Sequence, residues 1–262
     1  MKTSYVCFSF DDGRIDNYTI AYPILKKYHL PATFNVTTGY VEGKFPKNRL
    51  TYAKPMTIDM VKELSHDPMV EIAGHGYWHK NTIEDILLGI SSLKHYLGDD
   101  KIEGFASPGT GLDLCYYHNH KEELLNGGIN YVRLSLRYLC LPKLKTLIRK
   151  ASRVLPLPIL YRWAYQDTLM DSVTDDLLYS IPVLSPISVA QLTSLVDYAI
   201  RKKKVCILML HSIVDDGHVH DNWDYEKSKF ISICQYLQSK ESQGVVEVVT
   251  TQEAFHHLKN IE

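Results

Sequence analysis

Five side chains suited to metal binding and proton transfer occur in three separate parts of the chain. Two adjacent carboxylates occur in FSFDDG, two histidines in GHGYWH and one histidine in VCILMLHS; they are Asp11, Asp12, His75, His79 and His211. Two imidazoles and one carboxylate with open coordination positions are typical of a catalytic zinc site, where water fills a vacancy. Adjacent carboxylates can divide the work, because one can bind the metal while the other accepts a proton.

The histidines of GHGYWH are four residues apart. If the chain turns helical there, the imidazoles of His75 and His79 lie on one side of the helix, about one turn apart. Taken alone, such a pair, an Asp-Asp-Gly turn or a histidine after a strand is more often structural than catalytic. Their joint occurrence favours a metal site whose third ligand is a carboxylate from Asp11 or Asp12.

Short β-type runs alternate with longer amphipathic stretches. The β-type runs cover 4–10, 32–38, 70–75, 102–108, 131–136, 205–211 and 245–250. The helical patterns cover 17–28, 58–65, 83–97, 122–126, 189–201 and 227–238. This alternation implies crossover connections and a parallel sheet. Seven such runs predict an α/β barrel, with an open doubly wound sheet as the alternative.

Each group of polar residues follows one of these predicted strands. Asp11 and Asp12 follow the first, His75 and His79 begin at the end of the third, and FASPGTG ends the fourth. In a parallel barrel the carboxyl ends of the strands share one face, where active sites are built. We therefore expect these segments, together with His211, to converge on one cleft.

The composition indicates a soluble globular protein, and we expect residues 1–262 to form a single catalytic domain. Hydrophobic residues make up 45% of the chain and the net charge is −1, which disfavours a nucleic-acid-binding protein. Five widely spaced cysteines without a CxxC pair predict neither a disulfide framework nor a cysteine zinc site. The sequence has no secretory signal pattern and no transmembrane-length apolar run, so we expect a cytoplasmic location.

One segment, 135–166, differs from the rest because it has seven basic residues and no acidic one. Leucines and other apolar residues recur at helical spacing between the cations, and Pro156 and Pro158 end that pattern. We interpret 137–166 as an insertion on the barrel. It is either a lid whose lysines and arginines are solvated, or an interfacial or phosphate-facing element that contacts an anionic membrane surface peripherally.

The motifs FSFDDG, HGYWH, FASPG and LMLHS together resemble those of the polysaccharide deacetylases with the NodB homology domain, carbohydrate esterase family four. The segment ILKKYHLPATFNV is also similar to the family's sequence after its first motif. The resemblance extends from Tyr5 to Phe255 and implies the family's fold, a distorted, incomplete seven-stranded (β/α) barrel.

The resemblance also implies roles for the motif residues. Asp11 would be the general base, Asp12 would bind the metal with His75 and His79, and His211 would be the general acid. The activity implied is removal of an N-acetyl group from an N-acetylated sugar or glycan. Such an enzyme would serve surface-polysaccharide synthesis or modification, on a carbohydrate substrate that is lipid-linked or nucleotide-linked.

The oxyanion and acyl sites are assigned to three further residues. The FASPG motif implies that the backbone near Gly109, next to Pro108, helps to hold the oxyanion. Met209 shares a strand face with His211, so we expect it to line the acyl pocket.

Two departures from the family pattern stand out. Ala106 occupies the position where many members have an arginine that orients the base. The aspartate–tryptophan motif that tunes the acid histidine has no clear match, and Asp171, Asp175 and the 221–223 stretch are the candidates.

The sequence leaves the metal and the substrate open. Zinc is favoured, whereas cobalt, nickel, manganese and iron remain alternatives. A deformylase or amidohydrolase acting on a lipid-linked or small amide would use the same residues. A non-catalytic glycan-binding protein is a further alternative, because Ala106 replaces the expected arginine.

Overall fold

A closed barrel of parallel strands forms the centre of the computed structural model, which describes residues 3–44, 53–98, 102–109, 111–136 and 142–260. The barrel strands are β1 (Tyr5–Phe10), β2 (Ala32–Val36), β3 (Val70–Gly74), β4 (Gly104–Ala106), β5 (Tyr131–Leu134), β6 (Leu177–Pro182) and β7 (Val205–Leu210). Each strand pairs with the next along the chain, and pairing of β1 with β7 closes the ring. The seven-stranded barrel is therefore confirmed, and the open sheet is excluded. Among the described residues, no eighth strand enters the ring, unlike in a complete (β/α) barrel.

The sixth barrel strand differs from the prediction. We did not predict β6, so the run that ends at His211 is the seventh strand and not the sixth. The predicted strand 245–250 contributes only Glu247–Val248, which pair with Tyr5 and Val6 outside the ring. The reason is that β2 pairs with β1 only from Phe8 onward, so only the start of that edge of β1 accepts another strand.

Helices cover the outside of the barrel. They are α1 (Tyr22–Tyr28), α2 (Thr38–Val41), α3 (Ile58–Ser65), α4 (Ile83–Leu97), α5 (Leu114–Asn126), α6 (Pro142–Val154), α7 (Pro158–Tyr165), α8 (Val189–Lys202), α9 (Lys227–Ser242) and α10 (Thr251–Lys259). A π-helical turn, Asn17–Ala21, leads into α1. The bounds of α3 and α4 agree with prediction, since the hydroxyls of Thr57 and Thr82 cap their first turns. The predicted helix 122–126 is the last part of α5.

Two apolar clusters stabilise the barrel. The larger one lies between the strands and the helices and includes Phe8, Phe10 and Phe34. The smaller one lies on the inner face of the strands and includes Cys7 and Ile207, which alternate with the outward-facing residues of β1 and β7. Strands buried on both faces have nearly continuous apolar sequences, as β7 does in VCILML.

A short ribbon follows the barrel at its carboxyl end. β8 (Ser212–Val214) directly follows His211 and pairs in parallel with β9 (Asp224–Glu226). This ribbon holds the segment after β7 against the loop that follows β1, because Arg14 donates a hydrogen bond to Ser212.

Within the described ranges, none of the helices combines the length and the apolar character that crossing a bilayer would require.

The basic segment forms the connection between β5 and β6. Residues 137–141 lie outside the described residues, and the remainder forms α6 and α7. α7 packs on the barrel through Tyr161, Ala164 and Tyr165, all of which are buried.

Candidate active site

The loop after β1 supplies both carboxylates, and both are buried at the carboxyl end of the barrel. The backbone N–H of Asp11 donates to the carbonyl of Leu210, so β7 holds the start of this loop. Asp12 and Gly13 both have a positive φ, 79° and 77°, which turns the chain back sharply and directs the two carboxyl groups to different neighbours.

The carboxylate of Asp12 has one occupied oxygen and one open oxygen. Arg14 donates to Oδ2 from Nε at 2.9 Å and from Nη2 at 2.8 Å. Oδ1 is buried and has no hydrogen-bond partner among the described residues. A buried carboxylate oxygen without a partner is costly, so the arrangement favours a cation at Oδ1.

Two imidazoles face that open oxygen. Nε2 of His75 lies 3.4 Å and Nε2 of His79 lies 3.3 Å from Oδ1 of Asp12. Atoms bound at about 2.0–2.2 Å to a tetrahedral ion lie roughly 3.3–3.6 Å from one another. The three side chains therefore fit a divalent cation, and the donor set of two imidazoles and one carboxylate suits zinc.

The tautomer of His75 is fixed for metal binding. Its Nδ1 lies 2.8 Å from the carbonyl oxygen of Ala106, which can only accept a hydrogen bond. The proton is therefore on Nδ1, and Nε2 presents its lone pair to Asp12 and His79. A backbone carbonyl behind a ligating histidine is a common way to orient the ring.

The segment that carries His79 is not helical, unlike the helical turn considered from the sequence. It is an irregular loop in which Gly76 has φ 76° and His79 has φ 58°. Asp85, in the first turn of α4, holds this loop by accepting from the backbone N–H groups of Trp78 and Lys80 at 2.8 and 2.9 Å. The imidazoles come together, 4.9 Å apart between ring centroids, because Asp85 stabilises an otherwise unfavourable backbone.

Asp11 is held by a different set of partners. Its Oδ1 accepts from Nδ2 of Asn35 at 2.8 Å and from Nη2 of Arg133 in a close ion pair. Burial raises the pKa of Asp11, but the charges of Arg133, His75 and His211 together lower the pKa below its usual value. The lowered pKa keeps Asp11 ionised at pH 7. Because both hydrogen bonds fall on Oδ1, Oδ2 is the oxygen available to a proton.

Arg133 also accounts for the alanine in the fourth-strand motif. Ala106 on β4 and Arg133 on β5 are register partners, so their side chains leave the sheet on the same face. A guanidinium thus reaches Asp11 from one strand further along the barrel. The arginine missing at residue 106 is replaced in space, although not in sequence.

His211 lies directly after β7 and is partly buried. Its carbonyl accepts from Nδ2 of Asn17 at 2.5 Å, and its ring packs against Trp223 with centroids 4.4 Å apart. Burial lowers the pKa of His211 to about 4, against the opposing charges of Asp12 and Asp11. The imidazole is therefore neutral at pH 7.

Of the candidates for tuning His211, only the 221–223 stretch contacts it. Asp171 pairs with Lys204, at the opposite end of β7, and Asp175 pairs with His118. Trp223 supplies the ring contact, and Asp221 accepts from its backbone N–H at 2.7 Å. Asp221 thus positions the tryptophan.

The residues proposed for the oxyanion and acyl sites lie at the same end of the barrel. Asn81 donates to the carbonyl of Pro108 at 2.9 Å, which ties the turn after β4 to the histidine loop. Gly109 is exposed and has φ 63°. Met209 shares its strand face with Ile207 of the inner cluster. Their roles stay predictions.

Comparison with known proteins finds a family match for the first part of the chain. Residues 1–107 match the family model described as polysaccharide deacetylase. This match contains Asp11, Asp12, His75 and His79, and it confirms the resemblance drawn from the motifs. No curated protein matches the chain.

Several solved structures are similar to this chain. The Xyl-CE4 domain of a multidomain xylanase from the hindgut metagenome of Trinervitermes trinervoides is 17% identical over 97% of this chain and 90% of that one, with a TM-score of 0.48. A family 4 acetyl xylan esterase from Clostridium thermocellum is 15% identical over 96% and 90%, with a TM-score of 0.48. The deacetylase domain of BpsB from Bordetella bronchiseptica is 16% identical over 50% of this chain and 64% of that one, with a TM-score of 0.41.

Sequence motifs did not reveal three residues that support the site. They are Arg14, Asp85 and Arg133. Of the three, Arg133 was the easiest to identify from the sequence. A charged residue within YVRL, a strand buried on both faces, requires a buried partner of opposite charge.

Proposed function

We propose that this protein is a metal-dependent hydrolase that removes an N-acetyl group from an N-acetylated sugar or glycan. The observation that carries the proposal is the unpartnered Oδ1 of Asp12, which two imidazole Nε2 atoms face. The match of residues 1–107 to polysaccharide deacetylases supports the same reaction class. We further propose that the substrate is a glycan of surface-polysaccharide synthesis or modification.

The proposed chemistry divides between two carboxylates and one imidazole. A divalent cation held by Asp12, His75 and His79 would polarise the amide carbonyl and acidify water. Asp11, ionised and oriented by Arg133, accepts the proton of the attacking water at its second carboxylate oxygen.

His211 moves the proton to the departing nitrogen. Since its imidazole is neutral at pH 7, it takes up a proton before it can donate one, and the proton removed by Asp11 is the source we propose. The packing of Trp223 on the ring limits its rotation. The backbone N–H near Gly109 contributes to holding the carbonyl oxygen as negative charge develops.

Arg133 favours an enzyme over a glycan-binding protein of the same fold. A protein that only binds sugar gains nothing from a buried arginine that keeps Asp11 ionised. The glycan-binding alternative was considered because Ala106 replaces the expected arginine. Arg133 weakens that argument, because it brings an arginine to Asp11 from the neighbouring strand.

The identity of the acyl group and the role of Asp11 can be tested together. The zinc-, cobalt- and nickel-loaded protein is incubated with N-acetylglucosamine oligosaccharides and their N-formyl counterparts, and acetate and formate are quantified. Asp11→Asn should retain the metal and lose most turnover, while Asp59→Asn, an exposed matched control, should behave as wild type. Wild-type rates in Asp11→Asn would remove Asp11 from the mechanism.

A further inference from the structure

The largest group of exposed apolar side chains lies on two adjacent helices. We call α6, α7 and the linking residues 155–157 the α6–α7 hairpin. In the described part of the chain, seven of the twelve exposed large apolar side chains belong to it: Leu144, Leu147, Val154, Leu155, Leu157, Ile159 and Trp163. Val154 is 81% and Ile159 70% exposed. A concentration of this kind marks an interaction surface.

The orientation of α6 is set by polar contacts on its inner face. Nζ of Lys145 donates to the carbonyl of Trp163 at 2.7 Å and pairs with Asp167 at 3.2 Å. Nε of Arg149 donates to the carbonyl of Ala164 at 2.9 Å. These cations satisfy carbonyls at the carboxyl end of α7, where positive charge is favourable. The interpretation that all the basic residues are solvated is therefore wrong for Lys145 and Arg149, which are buried.

The consequence is that two leucines of α6 point outward, while Ile148 packs against the core. Leu144 and Leu147 lie on the side opposite the buried cations, and turning them inward would break the contacts of Lys145 and Arg149. Exposure of these leucines is thus part of the folded structure.

The tip of the hairpin lies at the same end of the barrel as the active site. Nε2 of Gln191 donates to the carbonyl of Ser152 at 2.7 Å and to that of Leu155 at 3.4 Å. Gln191 is in the first turn of α8, which follows the carboxyl end of β6. Val154 and Ile159, on either side of the tip, therefore lie on the side where Asp11, Asp12 and His211 are found.

The positive charge of the hairpin indicates which kind of partner its apolar surface fits. Lys143 and Lys150 are exposed beside the leucines, and 135–166 contains no acidic residue. Cations flanking an apolar face, with a half-exposed tryptophan nearby, suit an anionic lipid surface. A second copy of the chain would bring these like charges together, which is unfavourable. α6 has 13 residues, too few to span a bilayer, so the contact would be peripheral.

We propose that the α6–α7 hairpin inserts its apolar tip into the headgroup region of an anionic membrane and holds the mouth of the active site against that surface. Substrates attached to lipid would reach the site in this orientation. The membrane contact itself depends only on the hairpin, so it can be tested without any knowledge of the substrate.

The test is flotation of the full chain with vesicles of phosphatidylcholine alone or mixed with phosphatidylglycerol. We expect binding to the mixed vesicles, weaker binding to the neutral ones, and weakening by salt. Val154→Asp with Ile159→Asp should reduce binding roughly tenfold or more, because each introduces a charge where an apolar side chain enters the membrane. Lys143→Gln with Lys150→Gln should weaken binding to the anionic vesicles only.

A matched control uses Leu125→Asp with Val245→Asp. Both side chains are exposed and apolar, at 43% and 41%, but they lie at the amino end of the barrel, so vesicle binding should be unchanged. The proposal is overturned if the wild-type chain does not float with anionic vesicles or if the Val154–Ile159 variant floats equally well. It is also overturned if light scattering detects a dimer that this variant dissociates while wild-type vesicle binding is absent.

Discussion

Arg133 on β5 forms a buried ion pair with Asp11, which follows β1 and is 122 residues away in the chain. The same guanidinium donates from Nη1 to the hydroxyl of Ser180 on β6 at 2.8 Å. Its register partner on β4 is Ala106, whose small side chain leaves room beside it. The proposed base is therefore oriented from within the barrel wall, by a residue that lies outside the sequence motifs.

Removing the guanidinium from β5 should abolish most of the activity, and placing one on the neighbouring strand β4 should restore part of it. Arg133→Ala should lower turnover about a hundredfold or more, because the base loses its orientation and its charge partner. The pKa of Asp11 should rise, so the acid limb of kcat/KM should move to higher pH, since Asp11 must be ionised to act. Metal content should be unchanged. The measurement is the pH profile of acyl release.

The control for Arg133→Ala restores the guanidinium from the neighbouring strand. The double variant Ala106→Arg with Arg133→Ala should recover part of the turnover and of the acid limb. If Arg133→Ala alone keeps the wild-type rate and pH profile, Arg133 has only a structural role.

Asp85 should control metal affinity without touching the metal. Its carboxylate holds the backbone on both sides of His79, so Asp85→Ala should let the loop relax and weaken zinc binding about 10- to 100-fold. Competition with a chelating dye gives the affinity. Asp59→Ala, which removes an exposed first-turn aspartate from α3, should leave the affinity unchanged. Equal affinities for both variants would show that the histidine loop is rigid without Asp85.

The stability of the metal-free protein should fall as the pH decreases from about 6.5 to about 4. Burial lowers the pKa of His211 to about 4, whereas an unfolded histidine titrates near 6.5. In this window the unfolded chain binds more protons, so stability rises with pH and is lost on acidification. Thermal unfolding of chelator-treated protein at pH 7 and pH 5 measures the loss.

His211→Asn should reduce the difference in Tm between the two pH values. His66→Asn, at an exposed histidine, should leave it as in the wild type. A pH dependence that is the same in all three proteins would mean that His211 is not held neutral by the fold.

The convergence of the candidate site residues was predictable because parallel strands end at a common face. Once FSFDDG, GHGYWH and VCILMLHS are assigned to such strands, the convergence of their polar residues follows from the architecture. The pairwise geometry does not follow. Asp12 reaches both imidazoles through a loop with positive φ at His79, and the partner that stabilises this loop, Asp85, resembles an ordinary helix-start residue in the sequence.

Strand pairing was predicted less well than strand character. The run 245–250 has strong β-type composition, yet only two residues pair, because β2 and β7 already occupy most of both edges of β1. LLYSIP of β6 has a mixed composition and ends in proline, but it closes the barrel between β5 and β7. Whether a strand finds an unpaired edge depends on all the other strands of the sheet, so its own sequence does not predict the pairing.

The central claim is that Asp12, His75 and His79 share one divalent cation. The most direct measurement is the metal content, by mass spectrometry, of protein purified without chelator and equilibrated with zinc, compared with that of Asp12→Ala and His79→Ala. Of the two substitutions, His79→Ala should disturb the fold less, because the side chain of His79 is 28% exposed and Arg14 keeps its ion pair with Asp12. We predict about one equivalent of metal in the wild type and in Asp11→Asn and almost none in the two ligand variants. Unchanged metal content in both ligand variants would contradict the account.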